Sequence, residues 1–113
     1  MIVARSGSRE PEPVSLVPAA EVLRTVADPM RAAIVQLLAR EQMCTCHLQD
    51  ALGAKQTLVS HHLRLLREAR LVLAEPCGRF TYYRLAPGAF DAARDALAGL
   101  SAAAASQLPK RPC

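Results

Sequence analysis

The chain has 113 residues, with 14 Lys and Arg against 10 Asp and Glu and a formal charge of +4. That length suits a single domain whose core is small enough to gain from burial against a second copy. Trp is absent and aromatic residues make up 4%, which leaves few platforms for stacking unpaired bases and argues against single strands or RNA loops as partners.

The placement of the charge says more than its size. Between Gly53 and Arg84 stand Lys55, Arg64, Arg67, Arg70, Arg79 and Arg84 against Glu68 and Glu75, so this segment carries the whole excess and the remainder is neutral. A neutral body with one basic segment is the footprint of a protein that binds the phosphate backbone of duplex DNA, the plain alternative being a solvated helix face. The opening MIVARSGSREPEPV has too short an apolar run for a signal peptide, and no stretch is long enough to span a bilayer. The expectation is a cytoplasmic protein without a membrane partner. Its four cysteines are then thiols, suited to metal or redox chemistry rather than to a disulfide framework.

Residues 1–14 mix Ser, Gly, Pro and both charges without period and read as a flexible arm. From Ser15, the segment SLVPAAEVLRTVA sets Pro18 near a helix start and Leu16, Ala20, Leu23 and Ala27 at helical spacing, which predicts a first helix with an apolar face. Asp28-Pro29 signals the next start, because the carboxylate can cap free amides while Pro needs no N–H at the first position. Met30, Ala33, Ile34, Leu37 and Leu38 then form a core stripe. A third helix, about Thr45 to Leu52, is expected to bury Leu48, Ala51 and Leu52 and to end sharply at Gly53.

In the fourth helix, about Gln56 to Ala69, Val59, Leu63 and Leu66 form the buried seam, while Gln56, Thr57, Ser60, His61 and Arg64 share the other side. A short helix, a glycine-containing turn and a polar-faced second helix are the parts of a helix-turn-helix, whose second helix enters the major groove. Arg64 can read guanine bidentately and Gln56 adenine. Thr57 and Ser60 suit bases or phosphates, His61 faces DNA with His62 against the body, and Lys55 and Arg67 are placed for phosphate.

Leu71–Glu75 and Phe80–Arg84 are β-prone runs around Pro76-Cys77-Gly78-Arg79, a hairpin signal. After a recognition helix this reads as a wing, with Arg79 at its tip for a phosphate or the minor groove and Tyr82 or Tyr83 packed on the body. Pro87 is expected to open a last helix in which Phe90, Ala93, Leu97, Leu100 and Ala104 form an alanine-rich seam. Residues 15–106 thus read as one DNA-binding and dimerisation domain, mainly α with a small β-hairpin, and residues 107–113 as a flexible tail.

The segments CTCHLQDALG, QTLVSHHLRLLREA and GRFTYYRL, in that order and spacing, closely resemble the ArsR/SmtB family of metal-responsive winged helix-turn-helix repressors. The resemblance covers roughly residues 20–90. It implies a homodimer built on the terminal helices, binding to double-stranded operator DNA, and release by an ion bound near the third helix. One position departs from the pattern: typical members have Gly where this chain has Arg70, so the exit from the recognition helix must differ or tolerate a positive φ.

Cys44 and Cys46 match the first two cysteines of the family's CxC box, which supplies thiolate ligands in arsenite, cadmium and lead sensors. Residues i and i+2 point roughly 200° apart on a regular helix, so both sulfurs meet one ion only if the first turn unwinds or lies outside the helix. The resemblance leaves the third ligand open. The further cysteine of arsenite sensors is replaced by Gln49, and residues 1–43 hold none of the N-terminal cysteines used for cadmium and lead. His47, Cys77 and Cys113 remain, and the tail gives Cys113 the reach. The family's zinc-type site on the last helix pairs Asp with His; Asp91 and Asp95 are present without a histidine. The wide ligand separations of a zinc finger are missing too.

The leading reading is a repressor with no constitutive cofactor, induced by arsenite or by a divalent ion such as Cd, Pb, Ni or Zn. The alternative is the same fold under thiol-redox or protein-partner control. An enzyme is not expected, since Cys46 and His47 point apart on a helix and no oxyanion site accompanies them.

Overall fold

The computed structural model describes residues 16–113, so the N-terminal arm lies outside the described residues. The elements run α1 (Val17–Val26), α2 (Pro29–Leu38), β1 (Met43–Cys44), α3 (Thr45–Leu52), α4 (Gln56–Glu68), β2 (Val72–Cys77), β3 (Phe80–Leu85) and α5 (Asp91–Ala105). This is the mainly helical, winged helix-turn-helix architecture expected from the sequence; a second copy is not part of the structure.

Asp28 caps α2 as its chemistry requires. Its Oδ2 accepts the Met30 amide at 2.9 Å and the Arg31 amide at 3.1 Å, and Pro29 takes the first helical position. The helix so started delivers Ile34 and Leu38 into a core shared with Leu48, Val59, Leu63, Leu66, Leu71 and Val72. α1 turns a different face inward from the one its spacing predicts. Ala19 is buried and Val22 and Val26 pack on the core, while Leu16 and Leu23 are exposed. Two adjacent apolar stripes lie on α1, and only one of them faces the core. Ala51 of α3 is likewise exposed where burial was expected.

The sheet is antiparallel in the order β1-β3-β2. Its hairpin is tighter than the sequence suggests. Pro76 and Cys77 continue β2, Cys77 pairs with Phe80, and only Gly78 and Arg79 form the turn, with Gly78 at φ +62°. Proline is accommodated because β2 is an edge strand. β1 has no counterpart in the sequence reading, since two residues are too few to show a period; Met43 pairs with Tyr83 and Cys44 with Tyr82. Pro87 opens a turn rather than the last helix, which begins at Asp91, an acid suited to the first turn. On α5, Ala93 is buried, but Leu97 and Leu100 are 48% and 55% exposed. Residues 107–113 are exposed and without regular structure, and no helix among the described residues is long and apolar enough to cross a membrane.

The exit from α4 settles the Arg70 question in favour of the strained conformation. Arg70 has φ +63°, its amide bonds to the Arg67 carbonyl at 2.9 Å, and the Leu71 amide reaches back to the Leu66 carbonyl at 3.0 Å. These are the two hydrogen bonds of a Schellman ending, and Leu66 and Leu71 are both buried behind it. The packing of that leucine pair holds a residue with a Cβ where glycine is unstrained. A left-handed non-glycine residue costs about 1–2 kcal/mol, of which the greater chain entropy of glycine would take back about half. Arg70→Gly should therefore stabilise the protein by about 0.5–1 kcal/mol in urea titrations at one fixed protein concentration, with Arg70→Ala close to neutral. A destabilised glycine variant would show that the Arg70 side chain contributes more than its backbone strain removes.

Candidate nucleic-acid interface and thiol site

Gly53 closes α3 in the left-handed conformation, φ +61°, and its amide and that of Ala54 both turn back to the Gln49 carbonyl. Lys55 is extended and holds the N-cap position of α4 without a side-chain cap, so the chain reverses within three residues. The result is two faces on α4. Val59, His62, Leu63 and Leu66 are buried, while Gln56, Thr57, Ser60, His61, Arg64 and Arg67 are exposed. Lys55 at the start of the helix and Arg79 in the hairpin turn are exposed too. Each residue singled out for DNA contact is thus free of the core. The sequence reading missed one feature of this face: Arg64 Nη2 lies 3.1 Å from His61 Nδ1, and its Nη1 lies 3.6 Å from Glu68 Oε2.

His62 sits on the inner side, 8% exposed, and joins a polar chain that ties α4 to α2 and the end of α1. Arg31 Nη1 is 3.1 Å from His62 Nδ1, and Arg31 Nε donates to the Thr25 carbonyl at 2.6 Å. A guanidinium has only donors, so Nδ1 must accept and the ring proton sits on Nε2. Asp28 Oδ2, 3.9 Å from the same nitrogen, therefore faces a neutral ring rather than an ion pair. Burial pushes the His62 pKa below its ordinary 6.5, and Arg31 and His61 push the same way against the attraction of Asp28. The Arg31 amide holds the Asp28 carboxyl below its ordinary value.

The two cysteines of the CxC box stand in different settings. Cys44 is 5% exposed and extended, φ −87° and ψ 172°, so it lies outside the helical turn. It caps α3 reciprocally: its sulfur accepts the His47 amide, and its own amide donates to His47 Nδ1 at 3.2 Å. The sulfur lies 3.4 Å from that same nitrogen, and the His47 ring meets Tyr82 edge-on at 5.9 Å between centroids. Cys46, Cys77 and Cys113 are exposed, and all four thiols are free. Among the described residues no three His, Cys, Asp or Glu side chains form a group that could hold a metal ion. The fold thus brings His47 to Cys44 but does not bring Cys113 to either. The Cys-x-x-His spacing is that of a capping box with sulfur in place of a hydroxyl, a signal the sequence reading passed over.

With this geometry, residues 28–73 match the model of a family described as bacterial regulatory proteins of the arsR family. The chain is 47% identical over 77 residues to an HTH-type transcriptional repressor SmtB of Mycobacterium tuberculosis, a match covering 67% of the chain and 57% of that protein. It is 40% identical over 68 residues to an arsenical resistance operon repressor of Escherichia coli, covering 59% of the chain and 58% of the relative. Such matches span a little under three fifths of each relative's length. A crystal structure of a possible transcriptional regulator for arsenical resistance superposes with a TM-score of 0.65 at 32% identity, over 77% of this chain and 98% of that one.

The His62 site has a consequence for stability. Because its folded pKa lies below 6.5, the unfolded chain binds the extra proton first as pH falls. The stability this site contributes is complete above the unfolded value and is lost as pH drops through 6.5 toward the folded value. His62→Gln, which does not titrate, should flatten the dependence of unfolding free energy on pH between about 7.5 and 5.5. Equal slopes for the two proteins would show that His62 titrates alike in both states.

Proposed function

Since the chain belongs to the arsR family of bacterial regulatory proteins, we propose that it is a homodimeric transcriptional repressor. It holds operator DNA through α4 and the wing and lets go when a thiophilic ion, arsenite foremost, engages Cys44 and Cys46. The observation that carries the DNA half is the two-faced α4, with every candidate contact on the side away from the core. Arg64 and Gln56 read base edges, Thr57, Ser60 and His61 supplement them, and Lys55, Arg67 and Arg79 neutralise phosphates. The dimer is supported by Leu97 and Leu100, exposed on an alanine-rich α5 that already packs beside α1. Relatives named as repressors of the SmtB kind and of arsenical resistance support the regulatory reading.

Cys44 and Cys46 supply two thiolates and Cys113, from the tail of either subunit, the third, since arsenite favours sulfur. An ion of mixed preference takes His47 instead, whose Nδ1 is already 3.4 Å from the Cys44 sulfur. In both cases binding re-aims the Cys44 sulfur, which now accepts the His47 amide, and the start of α3 loosens. α3 packs on α4, so the loosened turn disturbs the helix that reads DNA. By linkage, bound DNA weakens ion binding to the same extent.

Two experiments test these halves separately. Arg64→Ala should weaken sequence-specific binding by about 1–3 kcal/mol and relax the preference at one base position. Unchanged affinity and preference would remove the base contact, and a concentration-independent monomer in sedimentation would remove the dimer. For sensing, reduced protein should release DNA on addition of arsenite or cadmium. Cys44→Ser and Cys46→Ser should abolish that release, Cys44→Ser keeping its cap because serine is a good N-cap. Cys113→Ser should weaken ion binding while leaving ion-free DNA affinity intact, and Cys77→Ser should be silent. Loss in His47→Ala with an indifferent tail would reassign the third ligand. Full ion-triggered release in both single serine variants would end the metal reading, and release by peroxide alone, reversed by reductant, would replace it with redox control.

A further inference from the structure

Glu68 is the only carboxylate on α4, and it occupies the last position of the helix. An acid there opposes the helix dipole, which favours cations at a C-terminus. On a face meant for DNA it also repels phosphate. Its one partner among the contacts of this face is Arg64, 3.6 Å away, whose other terminal nitrogen is 3.1 Å from His61. His61, Arg64 and Glu68 follow one another along the exposed side of α4, so the guanidinium lies along the helix between two acceptors. Both members of the ion pair are about 60% exposed, the side chains at 59% and 61%. The pair is therefore weak enough to exchange.

We propose that Glu68 restrains the DNA affinity of α4 by holding Arg64 in an intrahelical pair that the guanidinium must leave before it can contact a base edge. This rests on α4 being the DNA-facing helix. Magnitudes decide the competition. An exposed ion pair shifts an equilibrium by a factor of about five at most. A single hydrated phosphate contact is of the same order, so on arbitrary DNA Arg64 gains nothing by leaving Glu68, and the freed carboxylate would face phosphate. A bidentate contact to guanine O6 and N7 discriminates by a factor of roughly five to a hundred, enough to break the pair. That contact is made net of the broken pair, so Glu68 lowers affinity most where Arg64 finds guanine, by up to about fivefold, and by no more than that on arbitrary DNA. His61 orients the same guanidinium from the other side while its Nδ1 accepts.

The test uses the full-length protein and two duplexes of about 30 base pairs: one selected by the wild type from a random-sequence pool, and its scrambled counterpart. Glu68→Gln should bind the selected duplex about two- to fivefold more tightly, because the guanine contact no longer has to break the pair. Its affinity for the scrambled duplex should rise by no more than that, so the ratio between the two does not fall. In an Arg64→Ala background the same substitution should have a much smaller effect, because the two residues act as a unit. No tightening on the selected duplex, a larger gain on the scrambled duplex than on the selected one, or an undiminished effect without Arg64 would each overturn the proposal. If the wild type enriches no sequence and binds neither duplex, the DNA-binding reading fails first, and that outcome is distinct from the others.

Discussion

Cys44 occupies three structural positions at once. It ends β1, pairs in register with Tyr82 of β3, and caps α3 through its sulfur and the His47 imidazole. β3 is the central strand, bonded to β1 on one side and to the wing strand β2 on the other. A change at this residue is therefore felt by the helix that supports α4 and by the strand that carries the wing. The helix-turn-helix and the wing thus meet at one residue, through the chain on the α3 side and through strand pairing on the β3 side.

The recognition helix is held from behind by a different kind of contact. Its apolar seam of Val59, Leu63 and Leu66 would seat equally well with small slides along the core, as close-packed aliphatic surfaces give little direction. His62 removes that freedom. Its Nδ1 must meet Arg31, Arg31 must meet the Thr25 carbonyl, and Asp28 must cap α2 beside them. Each bond is directional, so together they define the position of α4 relative to α1 and α2. The arrangement also ties α4 to α1, which packs against α5 and its exposed leucines.

Much of this was legible in the residues. Asp28-Pro29, the stripe from Met30 to Leu38, Gly53 and the buried seam of α4 each follow from a local rule, and each is where it was expected. The failures have physical causes. α1 carries two apolar stripes, and which one turns inward depends on neighbours that spacing does not reveal. β1 exists only because β3 pairs with it. Pro76 reads as a breaker unless the strand is known to lie at an edge. At the candidate site, residue types and exposure were readable, but the partnerships of Cys44 with His47 and of Arg64 with Glu68 depend on side-chain directions set by the fold.

The size of the Cys44 cap bears on whether it can act as a switch. Allosteric coupling in regulators is commonly about 1–3 kcal/mol, a change of several-fold to a hundredfold in affinity. Losing a good N-cap costs a helix about 1 kcal/mol, and α3 has only eight residues over which to spread that loss. A helix this short is held by its packing rather than by its own hydrogen bonds, here mainly through Leu48, fully buried against the core. Loosening the cap leaves Leu48 in place and frees only the first turn, where Thr45 and Cys46 lie beside β1. In the switch proposed above, a disturbance of that size would alter DNA affinity measurably without unfolding the domain.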